Sequence, residues 1–369
     1  MHIDHISIRR ICNPIKRPYR TAFGSQNAFN SILISLTCGN NTGWGEAAPG
    51  GGPFFLSEYD LTEYCVSRDF IVPQVLGKNI HSSEALQDIL APIRGHRFAK
   101  AAFDVAWWDL YSQQQLLPLY RAIGSSSNTC SIGYTFGVLN NYDELLAGIG
   151  QVVGQGYPRV KLKFCPGWEL DMLSAVRSTF PDLTIHIDCN SAYTLNDLPM
   201  LKKLDQFHLA MIEQPLQHDD LINHAELQSK IGTPVCLDES ITTPEQAQQA
   251  IRIKACKYIN IKYGRVGGIT PSLQIQRLCA DNGIGCWLGG MGESSLGTTV
   301  VASLATMPQV NYPSDISPSD KFYVQNLGRP VLSTNRPGMY KMLDNPGLNV
   351  VPDPDALQKF TVEKEEFSE

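Results

Sequence analysis

The chain has 369 residues, of which 43% are hydrophobic and 18% are charged, and its formal net charge is −6. This composition is typical of a globular protein, and the length is sufficient for a barrel of about 250 residues plus a second domain. The acidic balance gives no indication of a nucleic-acid partner, and the absence of a run of about 18 apolar residues predicts no membrane span. The 10 cysteines form no C-x-x-C motif and the first residues contain no apolar signal core, so we expect a reduced, cytoplasmic protein.

The first fifty residues predict a small antiparallel sheet. Residues 3–11 and 31–38 are rich in β-branched residues and predict two strands. The polar stretch between them, residues 17–26 with Gly24, is interpreted either as a lid over a site or as a plain hairpin loop. A third strand ends near Glu46, and the glycines and prolines of residues 48–53 then exclude regular structure.

Helices follow this sheet, and a linker follows the helices. They are predicted over residues 57–78, 83–94 and 98–115, the last with alanine and tryptophan at helical spacing, as in a core helix. A short run of glycine and serine marks a domain boundary near residue 125. We therefore predict an α+β capping domain over residues 1–125, completed by about residues 321–369, where a strand is expected at 338–340. A barrel domain is expected over residues 126–320.

Five segments of the central region repeat one pattern, in which a charged residue lies on the strand face opposite branched apolar neighbours. They are residues 159–164, 185–190, 211–214, 235–238 and 259–262. The charged residues recur at spacings of 25, 25, 25 and 24 residues, which is about the length of one strand, one helix and two loops in a repeating βα unit. The pattern thus predicts parallel strands of a barrel that begins near residue 130 and continues through residues 285–291.

In such a barrel the apolar faces pack on helices, and the charged faces point into the lumen near the carboxyl ends of the strands, where barrel active sites lie. The converging side chains are Lys161, Lys163, Asp188, Glu213, Asp238 and Lys262. Without compensation, three buried carboxylates would cost many kcal/mol of desolvation and repulsion. A divalent metal bound by the three acids would offset that cost.

Three carboxylates leave about three open positions on an octahedral ion, and an all-oxygen set with retained waters favours Mg²⁺, or Mn²⁺. Lys161 and Lys163 project to the same side. Their repulsion and the nearby metal should lower the pKa of Lys163, so that it serves as a base near neutral pH. A metal bound to a substrate carboxylate can stabilise the enediolate formed when an α-proton leaves. A lysine base with Mg²⁺ and an enediolate is the chemistry of the enolase superfamily.

At these residues the chain resembles the muconate-lactonizing branch of the enolase superfamily. The K-x-K motif of the family matches Lys161 and Lys163, its opposite lysine matches Lys262, and its three metal ligands fall on Asp188, Glu213 and Asp238. Within the branch the chain is most similar to o-succinylbenzoate synthases and N-succinylamino acid racemases, in residues 166–168, 190–194, 262–268 and 315–320. One departure is Gly292, where the family usually has a large residue. We expect it to open space in the site.

The resemblance implies an α/β fold, a modified (β/α)7β TIM barrel under an α+β capping domain. It also implies an enzyme that removes the α-proton of a small-molecule carboxylate. For the synthases this is the metal-dependent syn-dehydration of 2-succinyl-6-hydroxy-2,4-cyclohexadiene-1-carboxylate to 2-succinylbenzoate in menaquinone biosynthesis, a hydro-lyase reaction. Lys163 would be the base and then the acid, and Lys262 would be a stabilising cation.

Several residues beside this set have open roles. Asn190 shares a strand face with Asp188, so we expect it to contact a metal-bound water or the substrate. Arg265 either tunes Lys262 or pairs with a surface acid, and Glu239 either lies behind the metal or is a solvated loop acid. The full set of predicted substrate contacts is Thr135, Asn190, Arg265, Gly290, Met291 and Ser295.

The nearest alternatives are N-succinylamino acid racemase, dipeptide epimerase and cycloisomerase activities on the same scaffold. A Schiff-base lyase that uses Lys163 or Lys262 as a nucleophile has no need for three converging acids. A barrel that binds ligands without catalysis is disfavoured because every expected catalytic side chain is present. The sequence leaves open whether the protein is a monomer or a homo-oligomer.

Overall fold

A computed structural model describes residues 1–21, 24–54, 56–137, 139, 141–164, 166–167, 170–332 and 334–369, with the backbone alone at residues 20, 21, 24, 25 and 335. The strands are β1 (His5–Thr21), β2 (Gly24–Cys38), β3 (Asn41–Ala47), β4 (Thr129–Ser131), β5 (Tyr134–Phe136), β6 (Val160–Lys163), β7 (Ile185–Asp188), β8 (Ile212–Glu213), β9 (Val235–Leu237), β10 (Tyr258–Ile261), β11 (Gly285–Leu288), β12 (Gly328–Arg329), β13 (Thr334–Arg336), β14 (Met339–Lys341), β15 (Val351–Pro352) and β16 (Thr361–Ser368).

The α-helices are α1 (Asp60–Val66), α2 (Val72–Val75), α3 (Ser83–Leu90), α4 (Arg97–Gln114), α5 (Leu119–Ala122), α6 (Tyr142–Gln155), α7 (Leu170–Thr179), α8 (Leu198–Leu201), α9 (Leu221–Lys230), α10 (Pro244–Arg252), α11 (Tyr263–Val266), α12 (Ile269–Asp281), α13 (Ser295–Ala305), α14 (Ser319–Phe322) and α15 (Pro354–Phe360). A π-helical turn (Ser67–Ile71) joins α1 to α2, and 3₁₀ turns occupy Leu195–Asp197 and Lys202–Phe207. None of the helices in the described ranges is both long and apolar enough to cross a membrane.

The N-terminal strands form an antiparallel sheet in the order β16-β1-β2-β3. Its inner face is made of alternating buried residues, among them Ile6, Ile8, Ile32 and Ile34, as a half-buried antiparallel sheet requires. The two strands predicted from β-branched residues are confirmed by the pairing of β1 with β2. Because β16 pairs with β1, the last strand of the chain completes the sheet of the first. The domain bounds themselves stay a prediction.

The stretch between the first two strands is mostly strand rather than irregular loop. The β1–β2 ladder continues to Tyr19↔Gln26 and Thr21↔Gly24, so the prediction of a loop over residues 17–26 was wrong. The register shifts between Pro14 and Tyr19, where prolines remove backbone donors from the ladder. Ala22 and Phe23, which belong to the predicted lid, lie outside the described residues.

Helix α4 is the core helix of the cap, and it lies against β3 at unusually short range. A Cβ atom built on Gly45 would lie 2.0 Å from the carbonyl oxygen of Ala102, and one on Gly43 would lie 2.2 Å from that of Ala106. Only glycine permits this approach of strand to helix. The sequence Gly43-Trp44-Gly45 thus brings the whole of α4, with its buried Phe98 and Phe103, onto the sheet.

Seven parallel strands form the second sheet, in the order β11-β10-β9-β8-β7-β6-β5. Its two edges are joined by one extended segment, because Ser314 bridges to Ile132 and Asp315 bridges to Gly289, both in parallel orientation. The sheet is therefore closed into a ring. Helices such as α6, α7, α9, α10 and α12 connect successive strands, and this confirms the predicted modified (β/α)7β barrel.

The strand predicted at residues 338–340 is present as β14, but it does not join the cap sheet. It pairs with β13 and with β4, the short strand that precedes the barrel. Of the tail strands, β16 thus pairs with the cap sheet and β14 does not, and the expectation that residues 321–369 complete the cap stays a prediction.

The close contact of β3 with α4 gives a test of stability. In Gly45→Ala the new methyl group meets backbone atoms that cannot rotate away, so the free energy of unfolding should fall by about 1–3 kcal/mol in urea titrations. Gly154→Ala is the matched control: this glycine lies in α6 with nothing within 4 Å of its Cβ position, and alanine favours helix. Equal stability of the two variants would contradict the packing described.

Candidate active site

The carboxyl ends of five adjacent strands carry the predicted charged residues. Lys163, Asp188 and Glu213 are the last residues of β6, β7 and β8 and lie side by side in register. Asp238 and Lys262 directly follow β9 and β10. The period of the sequence therefore brings all five to one end of the barrel, in the order lysine, three acids, lysine.

Lys161 is buried one layer deeper than Lys163 and serves several acids at once. Its Nζ lies 2.9 Å from Asp188 Oδ2, 2.8 Å from Glu213 Oε2 and 3.6 Å from Asp315 Oδ2. Burial alone would lower the pKa of Lys161, but the surrounding carboxylates raise it well above its ordinary value. This side chain is therefore a permanent cation that compensates buried acids.

Lys163 lies on the open side of the cluster. Its side chain is 30% exposed, against 6% for Lys161, and its Nζ lies 2.7 Å from Asp188 Oδ2 and donates a hydrogen bond to Asn190 Oδ1. Burial and the charge of Lys161 lower the pKa of Lys163. The attraction of Asp188 raises it by more, so the net shift is upward. In the metal-free chain this pKa is thus raised, because Asp188 lies against both lysines, and the lowering expected with a bound metal stays a prediction. If Asp188 also bound a further cation, its stabilisation of the protonated form of Lys163 would be weaker.

Asp238 is held between two cations. Lys262 Nζ lies 2.9 Å from its Oδ2, and the guanidinium of Arg265 donates to its Oδ1. Although burial opposes ionisation, Arg265 and Lys262 hold the pKa of Asp238 below its ordinary value. Arg265 also donates to the carbonyl oxygens of Ile241 and Asn260, so it is a buried clamp on Asp238. The alternative that it pairs with a surface acid was wrong, and its donors point into the protein.

Asn190 connects Lys163 to Glu239. Its Oδ1 accepts from Lys163, and its Nδ2 donates to Glu239 Oε1 at 2.9 Å, which fixes the orientation of the amide. Glu239 is buried, and burial together with Asp238 and Asp188 raises its pKa. The alternative of a solvated loop acid is therefore wrong. Glu239 lies behind Asn190, at the edge of the cluster.

The other predicted substrate contacts lie around the end of β11 and β5. Thr135 donates its hydroxyl to Asp315 Oδ1 at 2.6 Å, and the Gly290 N–H donates to the Asp315 carbonyl at 3.0 Å. The Met291 N–H donates to Glu293 Oε2 at 2.7 Å. Ser295 differs from these residues because it is fully buried and its hydroxyl donates a hydrogen bond to the Gly328 carbonyl oxygen. The roles of all four as substrate contacts stay predictions.

Gly292 does not open the space that the sequence suggested. A Cβ atom at this position would lie 3.0 Å from the ring of Phe29, which comes from β2 of the cap. The backbone here has a φ of +83°, which favours glycine, and the Gly292 carbonyl accepts a hydrogen bond from the Tyr323 hydroxyl. The expectation was wrong because the missing side chain is replaced by an aromatic ring from another element.

Three polar residues of the cluster were missed from the sequence. His186 and Asn260 lie two residues before Asp188 and Lys262, so strand alternation already puts them on the inward face. Asn260 Nδ2 donates to Glu213 Oε1 at 2.9 Å, and burial with the cations Arg159 and Lys161 holds the pKa of His186 well below its ordinary range. Asp315 carries no strand pattern, and only the closure of the barrel brings it to Lys161.

The acids of the cluster fit a divalent cation. Asp188, Glu213 and Asp238 provide an all-oxygen donor set on adjacent strand ends, which suits Mg²⁺ or Mn²⁺. Burial, with repulsion from Asp188 and Asp238, raises the pKa of Glu213 to about 8, so the lysines do not fully compensate this central acid. The oxygens of the three acids do not all lie within 4.8 Å of one another, since Lys161 lies between two of them. Within the described ranges, three ligand atoms lie that close only at the surface, in His2, Asp4 and Glu369.

The two parts of the chain match two related families. Residues 5–124 match the mandelate racemase / muconate lactonizing enzyme N-terminal domain, and residues 144–356 match the enolase C-terminal domain-like family. The chain therefore belongs to the enolase superfamily, in its mandelate racemase and muconate-lactonizing branch, whose members depend on a divalent metal.

Relatives within this family match the chain over its whole length. It is 36% identical to an N-succinylamino acid racemase of Amycolatopsis sp, over 99% of both chains. It is 35% identical to an o-succinylbenzoate synthase of Geobacillus kaustophilus, over 98% of this chain and 96% of the relative. A crystal structure of an enolase superfamily member from Listeria innocua Clip11262 superposes with a TM-score of 0.96 at 33% identity, over 100% of this chain and 99% of the other.

The burial of Lys161 makes a prediction about stability. Lys161→Met removes the ammonium group shared by Asp188 and Glu213, which leaves Glu213 without a cation in contact and Asp188 with Lys163 alone, so the free energy of unfolding should fall by about 3–5 kcal/mol. Lys230→Met removes an exposed lysine paired with Glu226 and should change it by no more than about 0.5 kcal/mol. Urea titrations measure both. Similar small losses in the two variants would mean that Lys161 compensates nothing.

Proposed function

We propose that the protein is an o-succinylbenzoate synthase, a hydro-lyase that converts 2-succinyl-6-hydroxy-2,4-cyclohexadiene-1-carboxylate to 2-succinylbenzoate. The observation that carries the proposal is the order of side chains across the barrel: one lysine on each side of three acids, in a chain 33–36% identical over nearly its whole length to four synthases among its curated relatives. The product belongs to menaquinone biosynthesis, as the resemblance implies.

The proposed metal is Mg²⁺, held by Asp188, Glu213 and Asp238. When bound, it supplies positive charge that holds the substrate carboxylate and stabilises the negative charge that this group gains as the α-proton leaves. Lys161 then neutralises the acids from below, and Asn260 and Arg265 hold Glu213 and Asp238 in place.

Lys163 is the proposed base. Its Nζ takes the α-proton as the C–H bond breaks, and it becomes an ammonium group. The same ammonium group then returns the proton to the hydroxyl as the C–O bond breaks, so that water leaves and the ring becomes aromatic. One residue can do both because syn elimination uses one face of the substrate. Asn190 restricts Lys163 to that face, since its Oδ1 accepts from Nζ.

Lys262 lies on the other side of the acids and has a different proposed role. Its Nζ is fixed against Asp238 at 2.9 Å, and its side chain is less exposed than that of Lys163, 12% against 30%. A cation in this position supplies electrostatic stabilisation to the forming enediolate without moving a proton.

N-succinylamino acid racemase is the second candidate function. It is favoured by the Amycolatopsis relative, which carries that name at 36% identity, and by the presence of a lysine on each side of the cluster. Racemisation removes a proton from one face and returns one to the other, so it needs both Lys163 and Lys262 as acid–base groups.

The purified protein should dehydrate the cyclohexadiene carboxylate, and the loss of its ultraviolet absorbance measures the rate. Lys163→Ala should lower this rate by about 10²–10⁴-fold or more, since a positioned general base usually contributes that much. EDTA should abolish it, and added Mg²⁺ should restore it. Full activity after metal removal, or a Lys163→Ala variant within about tenfold of the parent, would refute these assignments.

Lys262→Arg separates the two candidate functions. Arginine keeps a cation at this position but cannot act as a base near neutral pH, because its guanidinium stays protonated. The variant should lose all racemisation of N-succinylamino acids and keep measurable, although reduced, dehydration. Deuterium exchange in heavy water with each enantiomer is the direct measurement, and Lys163 should still exchange the α-proton of one enantiomer only.

Two outcomes of that experiment would change the assignment. If Lys262→Arg loses dehydration and both exchange reactions to the same extent, the two lysines do not act on separate faces. If the parent protein exchanges both enantiomers rapidly and dehydrates nothing, the racemase function replaces the synthase function.

A further inference from the structure

A layer of buried side chains closes the barrel below the charged cluster. Trp287 of β11 packs against His186 of β7 and against Tyr312, with ring centroids 5.4 and 6.2 Å away, and the Arg159 guanidinium lies 5.7 Å from the rings of Trp287 and Tyr312. Gly133 makes room for that guanidinium, since a Cβ atom there would lie 2.2 Å from it. The proposed reaction uses none of these residues.

His186 has one polar contact on each side of its ring. Its Nδ1 lies 3.0 Å from the hydroxyl oxygen of Tyr312, and its Nε2 lies 3.4 Å from Glu213 Oε2. In the described part of the chain, neither Nε2 nor Oε2 has a hydrogen-bond partner, although Oε2 also lies 2.8 Å from Lys161 Nζ. Buried polar atoms are nearly always paired, and these two face each other.

The chemistry of the two neighbours decides which ring nitrogen carries the proton. As a metal ligand Glu213 would be ionised, and an ionised carboxylate only accepts hydrogen bonds, so a proton on Nδ1 would then leave two acceptors facing each other. With the proton on Nε2, that nitrogen donates to Glu213, and Nδ1 accepts from the Tyr312 hydroxyl. Burial raises the pKa of Tyr312, so its hydroxyl keeps the proton that it donates.

We infer that His186 is a positioning residue for Glu213, held by Tyr312 in the tautomer that carries its proton on Nε2. The inference rests on the proposed role of Glu213 as a metal ligand. Lys161 cannot position Glu213 alone, because it is shared with Asp188. Asn260 fixes one oxygen of Glu213, and His186 fixes the direction of the other. Such partners of metal-binding carboxylates typically contribute about 10–100-fold to metal affinity.

The first experiment measures the affinity of the full-length protein for Mn²⁺ alone, from the electron paramagnetic resonance signal of the free ion. His186→Met fills a similar volume without a donor and should weaken binding about 10–100-fold. His186→Gln can place an amide N–H near the position of Nε2 and should recover most of that loss. Unchanged affinity in His186→Met would overturn the inference.

Two tyrosine variants separate the hydroxyl of Tyr312 from the packing of its ring. Tyr312→Phe removes the donor to Nδ1 and should weaken Mn²⁺ binding less than His186→Met does. Tyr258→Phe is the matched control: its ring lies 5.8 Å from that of Tyr312, and it does not contact His186 through its hydroxyl. Its Mn²⁺ affinity should equal that of the parent. Equal losses in the two variants would mean that only aromatic packing matters.

The second experiment observes the tautomer without added metal at about pH 10, above the pKa of about 8 that burial gives Glu213, so that its carboxyl group is ionised. Side-chain ¹⁵N spectra of labelled histidine, with the His186 signals assigned from the His186→Gln variant, should show a protonated Nε2 and an unprotonated Nδ1. A proton on Nδ1 would overturn the inference even if a variant fails to fold. If the parent protein binds no Mn²⁺, the proposed function fails, while the tautomer still decides whether Tyr312 and His186 act as inferred.

Discussion

The oxygen Oδ2 of Asp188 contacts the ammonium groups of both Lys161 and Lys163. This contact holds the charged side chains together at the open end of the barrel. Strand order puts lysines at the two outer positions and acids at the three inner ones, so the cation that contacts the central acid is Lys161, which comes from the layer below. The central acid, Glu213, is consequently the least compensated, and its raised pKa expresses that shortage. The same order puts one lysine on each side of the three acids.

The cap contributes to this end of the barrel through a buried carboxylate of its own. Glu46, at the end of the close-packed strand β3, accepts hydrogen bonds from the N–H and hydroxyl of Ser294 and from the N–H of Gly297. These donors lie at the start of α13, where a helix has unpaired N–H groups and favours negative charge. Glu46 therefore ties the cap to the loop that carries Gly290 and Met291. A carboxylate of the cap thus fixes the edge of the candidate site.

The sequence was most informative where charged residues recur at a fixed spacing. The spacing of Lys163, Asp188, Glu213, Asp238 and Lys262 predicts the barrel and the end at which they meet, because register in a parallel sheet follows from repeat length. It was least informative where partners come from distant segments without a period. Asp315 reaches Lys161 only through the segment that closes the ring, and Phe29 reaches Gly292 only through the pairing of the cap hairpin. The contact of Asp188 with both lysines could not be predicted for a related reason, since spacing alone does not say which acid lies nearest.

The position of β16 beside β1 has a consequence for how the protein is made. Residues 361–368 are translated after every segment of the barrel, yet they supply the edge strand beside β1. During synthesis the barrel segments therefore emerge while the cap still lacks its outer strand and β1 has an exposed edge. Such an edge is a site for pairing with other chains. A nascent or truncated chain that ends just before residue 361 is thus exposed to misassembly through β1, although it already contains every charged residue of the barrel cluster.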